Sequence, residues 1–280
     1  MMKIILADSA GFCFGVKRAT QLAFKAAEKN CPICSLGPII HSPQVVEKLE
    51  KKGVRVVERV EDIDTGAVII RSHGITANEL ADIHSRNLTP VDATCPFVKK
   101  VQDYVTLLCA EGYAVVLVGE KDHPEVQGII SYSRHAEVAV VANSEEAQLL
   151  PNQSKIGIVA QTTQSFENLR QVADVCLQKS IEVRVFNTIC DATSVRQEEA
   201  REIAKQADLM IVVGGFNSAN TTRLAQICRE LQPRTYHVEI AEQIESEWFA
   251  GVKTVGITAG ASTPRWIIDE VVERVGLFEN

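Results

Sequence analysis

The chain has 280 residues, 46% of them hydrophobic, and a formal net charge of −7. That length allows one to three domains with a packed core, and the acidic balance argues against a non-specific nucleic-acid binder or a polybasic membrane binder. The run from Met1 to Asp8 is too short and too soon acidic for a signal peptide, and no apolar run would span a bilayer. The expectation is a cytoplasmic protein whose eight cysteines are core thiols, metal ligands or redox groups, not a disulfide framework.

In chain order, 3–7 reads as a short strand and 16–29 as a helix with Val16, Ala19, Ala23 and Ala27 near one face. Strands at 67–70 and 113–118 alternate with helices at 77–86 and 97–111, the latter opened by Pro96. A strand at 138–141 precedes a helix capped by Asn143 or Ser144. Then follow strand 155–160, helix 166–178, strand 181–186, helix 194–206, strand 209–213, helix 222–231 and strand 254–258. The last helix, 264–275, has Thr263 as its expected cap and Pro264 at its first position. Such alternation predicts parallel α/β sheets. The expected modules are 1–96, containing Cys13 and Cys95, then 97–190, then 191–280 with its C-terminal segment packing back near a central site.

Three cysteines stand apart. Cys13 in Gly-Phe-Cys-Phe-Gly, Cys95 in Asp-Ala-Thr-Cys-Pro and Cys190 in Thr-Ile-Cys-Asp-Ala-Thr each fall between a strand-like and a helix-like stretch. In open α/β sheets ligands sit at the carboxyl ends of strands. Cys109, Cys176 and Cys228 lie on apolar faces of expected helices, where a free cysteine usually packs. Cys31-Pro-Ile-Cys34 resembles half a metal site, but it lacks a second CxxC or an HxxxH partner. Packing or an auxiliary redox pair is the reading there. Three dispersed thiolates suit zinc or an iron–sulfur cluster with one position unfilled, and their chemistry alone does not separate the two.

His41, His73 and His123 share strand-end or loop positions, whereas His84, His135 and His237 read as surface or edge residues without a role. His123 and Glu125 flank Pro124; in an extended segment both would face one pocket, an imidazole beside a titratable carboxyl suited to proton delivery. Segments 213–223, 258–264 and 161–165, rich in Gly, Ser, Thr and Asn, each read as a strand end opening a helix, where free N–H groups and the helix dipole favour an anion. There is no GxxxxGK[ST] and no GxGxxG after the first strand, so a Walker or Rossmann nucleotide site is not expected.

These segments resemble the 4-hydroxy-3-methylbut-2-enyl diphosphate reductase family, also called IspH or LytB. The matching motifs are Gly11-Phe12-Cys13-Phe14-Gly15-Val16, Ser72-His73-Gly74, Asp92-Ala93-Thr94-Cys95-Pro96, His123-Pro124-Glu125-Val126, Gln161-Thr162-Thr163, Asn217-Ser218-Ala219-Asn220 and Thr258-Ala259-Gly260-Ala261-Ser262. The resemblance implies an α/β fold of three small modules, pseudo-threefold around one [4Fe–4S] cluster held by Cys13, Cys95 and Cys190. It implies that His41, His73, His123, Ser218, Asn220 and Ser262 hold a substrate diphosphate, that Thr162 and Thr163 contact substrate, and that Glu125 delivers a proton. The implied reaction is reductive dehydroxylation to isopentenyl and dimethylallyl diphosphate, the last step of the non-mevalonate (MEP) isoprenoid pathway, with the substrate hydroxyl on the cysteine-free iron and electrons from an external ferredoxin or flavodoxin. Where the family often has a second serine, this chain has Ala219, which leaves only a backbone N–H. No family role falls on Cys31 or Cys34. A cluster-dependent hydro-lyase, which needs no reductant, and a non-catalytic iron–sulfur carrier, which needs no anion pocket, are the competing readings.

Overall fold

A computed structural model describes residues 2–29, 31–133 and 136–278; His135 lies outside them. The chain opens with β1 (Lys3–Leu6), whose sheet partners lie at the far end of the sequence. The helix α1 (Phe14–Ala27) follows. A first complete module then alternates β2 (Ile33–Leu36), α2 (Pro43–Glu50), β3 (Val54–Val57), β4 (Ala67–Ile70), α3 (Ala77–Ser85) and β5 (Thr89–Asp92). A second runs from α4 (Pro96–Ala110) through β6 (Ala114–Val118), α5 (Pro124–Ile130), β7 (Val138–Val141), α6 (Ser144–Gln148), β8 (Gln153–Ala160) and α7 (Phe166–Lys179) to β9 (Ser180–Val185). The third comprises α8 (Asp191–Ala204), β10 (Leu209–Val213), α9 (Ala219–Leu231), β11 (Thr235–Val238), β12 (Thr254–Ala259) and α10 (Arg265–Gly276).

Among the described residues these strands form three four-stranded sheets, ordered β3-β2-β4-β5, β7-β6-β8-β9 and β1-β12-β10-β11, with parallel pairing throughout. All three share one topology. Numbered within a module, the order is second, first, third, fourth; in the last sheet the fourth place is taken by β1. Lys3 pairs with Thr254 and Leu6 with Ile257. The expected module 1–96 therefore loses its opening strand to the C-terminal sheet. Parallel pairing needs no hairpin, so nothing local in the sequence announces it. By compactness, residues 1–17, 41–47 and 191–280 form one unit and 18–40 with 48–190 another.

The central strands β2, β4 and β10 are buried at every position, and their sequences are near-continuous apolar runs, as expected of parallel strands covered on both faces. Alternate residues serve opposite cores. Leu209, Ile211 and Val213 of β10 join one cluster with Ile267, Ile268 and Val271 of α10. Met210 and Val212 join the other with Ala200 and Ile203 of α8 and Leu224 of α9. Four strands escape detection in the sequence: β2, which is short and central, and β3, β5 and β11, which each lie at a sheet edge and carry Arg55, Pro90 or His237. Proline is tolerated at an edge because no neighbour needs its missing N–H on the outer side.

Capping sets the helix starts. Thr76 and Glu79 make a reciprocal capping box on α3, and Asn143 caps α6. The residue before α10 is Pro264, not Thr263. Thr263 instead donates its hydroxyl to the Val213 carbonyl at 2.9 Å, tying the β12 loop to the end of β10.

Candidate active site

The shared topology places the chemistry. Cys13, Cys95 and Cys190 follow the fourth strand of their modules, β1, β5 and β9, and each is the residue directly before a helix, α1, α4 and α8. The helices expected at 16–29 and 194–206 begin earlier, at Phe14 and Asp191, which closes the gap to Cys13 and Cys190. Each cysteine is also pinned in the same way. The Cys95 N–H donates to the Ser72 carbonyl at 2.9 Å, Cys190 N–H to Thr162 at 3.0 Å and Cys13 N–H to Ala261 at 3.2 Å. Those acceptors lie two residues beyond the ends of β4, β8 and β12, the third strands. The residues one further on are His73, Thr163 and Ser262. Three modules thus repeat one construction: a cysteine from the fourth strand end, hydrogen-bonded to the loop that presents a polar side chain from the third.

The thiols separate into two kinds. Cys13, Cys95 and Cys190 are partly exposed thiols, each directly before a helix. The Val16 N–H approaches Cys13 Sγ at 3.5 Å. Cys176 and Cys228 are buried in the cores, where burial pushes them up to about 11 and about 12, and Cys109, partly buried against another core, is raised in the same way, so all three are poor ligands. Cys34 is 4% exposed within β2, among Leu36, Val57 and Val68, while Cys31 is exposed. Cys34 packs, as its apolar neighbours implied. A set of three accessible soft donors suits an iron–sulfur group. Among the described residues, neither unit by itself gathers three His, Cys, Asp or Glu side chains to hold a metal ion.

In the unit of 18–40 and 48–190, the site residues converge around Glu125. Pro124 and Glu125 are not extended: Pro124 opens α5 and His123 caps it, its Nδ1 accepting the Glu125 N–H at 3.1 Å. His123 and Glu125 therefore do not share a face as they would in the expected extended segment, because proline is favoured in a helix's first turn and starts α5 here. The carboxyl turns into the protein, 2% exposed. Its Oε1 accepts the Thr162 N–H at 2.7 Å and its Oε2 the Thr162 hydroxyl at 2.9 Å. Burial pushes its pKa up to about 7, against the opposing pull of the two Thr162 bonds. The His73 and His123 rings meet edge to face at 5.7 Å. Thr163, next to Thr162 in sequence, is partly exposed, and Ser165 caps α7.

In the other unit, Ser218 caps α9 through its hydroxyl and the Thr221 N–H. Helix α9 starts at Ala219, earlier than expected, so Asn220 sits in its first turn. Asn220 is 6% exposed, and neither polar atom of its amide has a hydrogen-bond partner among the described residues. Orphan amides of this kind call for a ligand. The Ser262 hydroxyl donates to the His41 carbonyl at 3.2 Å, and Gly215 lies against the same carbonyl. Gly260 has no alternative: a Cβ there would stand 2.0 Å from Thr221 Oγ1. His237, read as a residue without a role, is half-buried, with Nε2 2.8 Å from the Gly214 carbonyl and its ring against Phe216. Glu239 accepts the Phe216 N–H at 2.7 Å, so both side chains hold the loop before Ser218. His84 is exposed, as expected.

A family model described as LytB protein matches residues 4–276. The chain belongs to the LytB family. This LytB chain is 78% identical over 274 residues to 4-hydroxy-3-methylbut-2-enyl diphosphate reductase of Syntrophotalea carbinolica, covering 98% of each chain. It is 62% identical over 279 residues to the reductase of the same name from Geobacter sulfurreducens, covering 100% of this chain and 99% of that one. Among solved structures, it is similar to (E)-4-hydroxy-3-methyl-but-2-enyl diphosphate reductase, described as the terminal enzyme of the non-mevalonate pathway, with 47% identity, 99% and 100% coverage and a TM-score of 0.71. It is also similar to the E-1-hydroxy-2-methyl-but-2-enyl-4-diphosphate reductase of Plasmodium falciparum, with 28% identity, 100% and 88% coverage and a TM-score of 0.91. The α/β fold of three modules read from the LytB motifs holds. No described helix is long and apolar enough to cross a membrane.

Proposed function

We propose that the chain reduces 4-hydroxy-3-methylbut-2-enyl diphosphate to isopentenyl and dimethylallyl diphosphate, the last step of the non-mevalonate pathway. The names of its relatives support the reaction. The observation that carries the mechanism is the Glu125–Thr162 pair: a buried carboxyl with a pKa of about 7, bonded to a threonine hydroxyl at 2.9 Å. Cys13, Cys95 and Cys190 would hold one [4Fe–4S] cluster, which when bound supplies single electrons and one iron without a cysteine ligand.

The protein's own part is positioning and proton delivery. Near neutral pH Glu125 is poised between its two forms, the condition for an effective general acid. A proton on Oε2 passes to Thr162 Oγ1, whose own hydrogen then goes to the departing oxygen, so that it leaves as water. His41, His73, His123, Ser218, Asn220 and Ser262 would hold the diphosphate, with the Asn220 amide and the N–H of Ala219 among the donors of the α9 N-terminus. Thr163, at the end of the same loop as Thr162, would line the carbon chain. Clamping the diphosphate fixes the reacting end, which lowers the barrier by positioning. The electrons would come from an external carrier of the ferredoxin or flavodoxin type.

Anaerobically reconstituted enzyme, assayed with the allylic diphosphate and a low-potential reductant, tests the reading. Wild type should bind iron and sulfide and turn over only with the reductant. Glu125→Gln should lose about 10²–10⁴-fold in kcat with iron content unchanged. Full turnover by that variant would remove Glu125 as the acid, and turnover without reductant would make the enzyme a hydro-lyase.

A further inference from the structure

Two arginines outside every motif role repeat one device. Arg18 lies in the second turn of α1, the helix that follows Cys13, yet its guanidinium reaches the loop before Cys95. Nη1 donates to the Thr94 carbonyl at 3.1 Å and Nη2 to the Asp92 carbonyl at 3.4 Å. Arg196 lies in the second turn of α8, the helix that follows Cys190, and reaches the loop before Cys13. Nη2 donates to the Ser9 carbonyl at 2.6 Å and to the Gly11 carbonyl at 2.8 Å, while Nη1 donates to Ala192 of its own helix at 2.9 Å. Each guanidinium thus takes two carbonyls, two residues apart, in the short stretch leading into a cysteine.

The second loop is gripped on its amides too. Glu199, one turn further along α8, accepts the N–H of Asp8 at 2.6 Å and of Ser9 at 3.0 Å. Gly11 closes this loop with φ +104°, where a Cβ would also press on Ile268. Arg196 is 3% exposed. Burying a guanidinium is costly unless its donors are satisfied, and here its Nη groups donate to backbone carbonyls of the cysteine loop and of Ala192. Arginine suits this work because its donors lie in a rigid planar fork, which fixes the orientation of what it holds as well as the distance.

Resting on the three-cysteine reading above, we infer that Arg18 and Arg196, the latter with Glu199, are positioning residues that fix the cluster-ligand loops of Cys95 and Cys13 respectively. A soft-metal centre tolerates little displacement of its thiolates, and outer-shell partners of metal ligands typically carry 10–100-fold in metal retention. The assignment is crossed: Arg18 is a near sequence neighbour of Cys13 but acts on Cys95.

The test uses the full chain in two states. In apo protein, iodoacetamide labelling followed by mass spectrometry reads the alkylation rate of each cysteine. Arg18→Met should speed Cys95 severalfold and leave Cys13 unchanged; Arg196→Met and Glu199→Gln should speed Cys13 and leave Cys95 unchanged. In reconstituted holoenzyme, iron release to a chelator should quicken about 10–100-fold in each variant, and Arg196→Lys, which keeps the charge without the fork, should fall between. Alkylation that rises equally at all three cysteines, or at none, with chelator rates unaltered would overturn the inference. If Arg196→Met does not fold, Glu199→Gln and the Arg18 variants give the same reading. Wild type that takes up no iron and sulfide would instead sink the cluster reading itself, which the labelling arm does not depend on.

Discussion

Glu125 shows how one side chain's surroundings set its chemistry. At the N-terminus of α5 a carboxylate in water would titrate near 4.5, but here burial pushes it to about 7 even though Thr162 offers two hydrogen bonds to the charged form. Stability follows with a definite sign. The native state holds the proton more tightly than the unfolded chain, so the fold loses stability as pH rises above about 4.5, and the loss is complete once pH passes about 7. The shift corresponds to a cost on the order of 3 kcal/mol. Glu125→Gln keeps an acceptor for the Thr162 N–H and carries no charge, so its melting temperature should exceed that of wild type at pH 8 and not at pH 4.5. Equal wild-type and variant melting curves at pH 8 would mean that the carboxyl is not desolvated. Glu125 was legible as a candidate from its neighbours; its burial and its partner were not, since Thr162 is far away in the chain.

At the scale of elements, strand ends and helix starts carry the site, and their register matters more than their existence. The sequence pattern predicts α8 from 194 and α9 from 222, but the helices start at Asp191 and Ala219, directly beside Cys190 and Ser218. Early starts are hard to read because Asp, Ser, Asn and Thr serve equally as loop residues and as caps. The loop between β10 and α9 gives a further test. His237 and Glu239, from the edge strand β11 and the residue after it, hold Gly214 and Phe216, so His237→Ala should release the loop that presents Ser218 and Asn220. Steady-state kinetics should show KM for the diphosphate substrate rising about tenfold, with kcat changed less and iron content unaltered, since losing one such bond is worth about 1 kcal/mol or somewhat more. A KM like that of wild type would mean the loop is held without His237, by Glu239 and by the Thr222 hydroxyl, which donates to the Phe216 carbonyl at 3.2 Å. His237 offered no signal in sequence: a lone histidine in a short polar strand looks like any edge residue.

At the scale of the whole molecule, three sheets of identical strand order explain why three cysteines occur in equivalent settings without a detectable sequence repeat. The equivalence is completed by β1, which supplies the fourth strand of the C-terminal sheet. Ile5→Pro should break the β1–β12 ladder, where Ile5 pairs with Gly256. Hydrogen exchange should then speed up in β12 while β6 and β8 keep their protection; unchanged exchange in β12 would show that β1 contributes nothing to that sheet.

The sequence by itself determined the alternation of apolar strands and helices, the parallel class, and the residue types at the junctions, because periodicity, capping and composition are local. It also carried motifs specific enough to identify the family. The tertiary structure decided where β1 pairs, which thiols are buried in the core, that Glu125 turns inward to Thr162, and that Arg18 and Arg196 reach the loops of cysteines other than their neighbours. Each of those depends on contacts between residues distant in the chain, and on how much water they exclude, which no window of sequence contains.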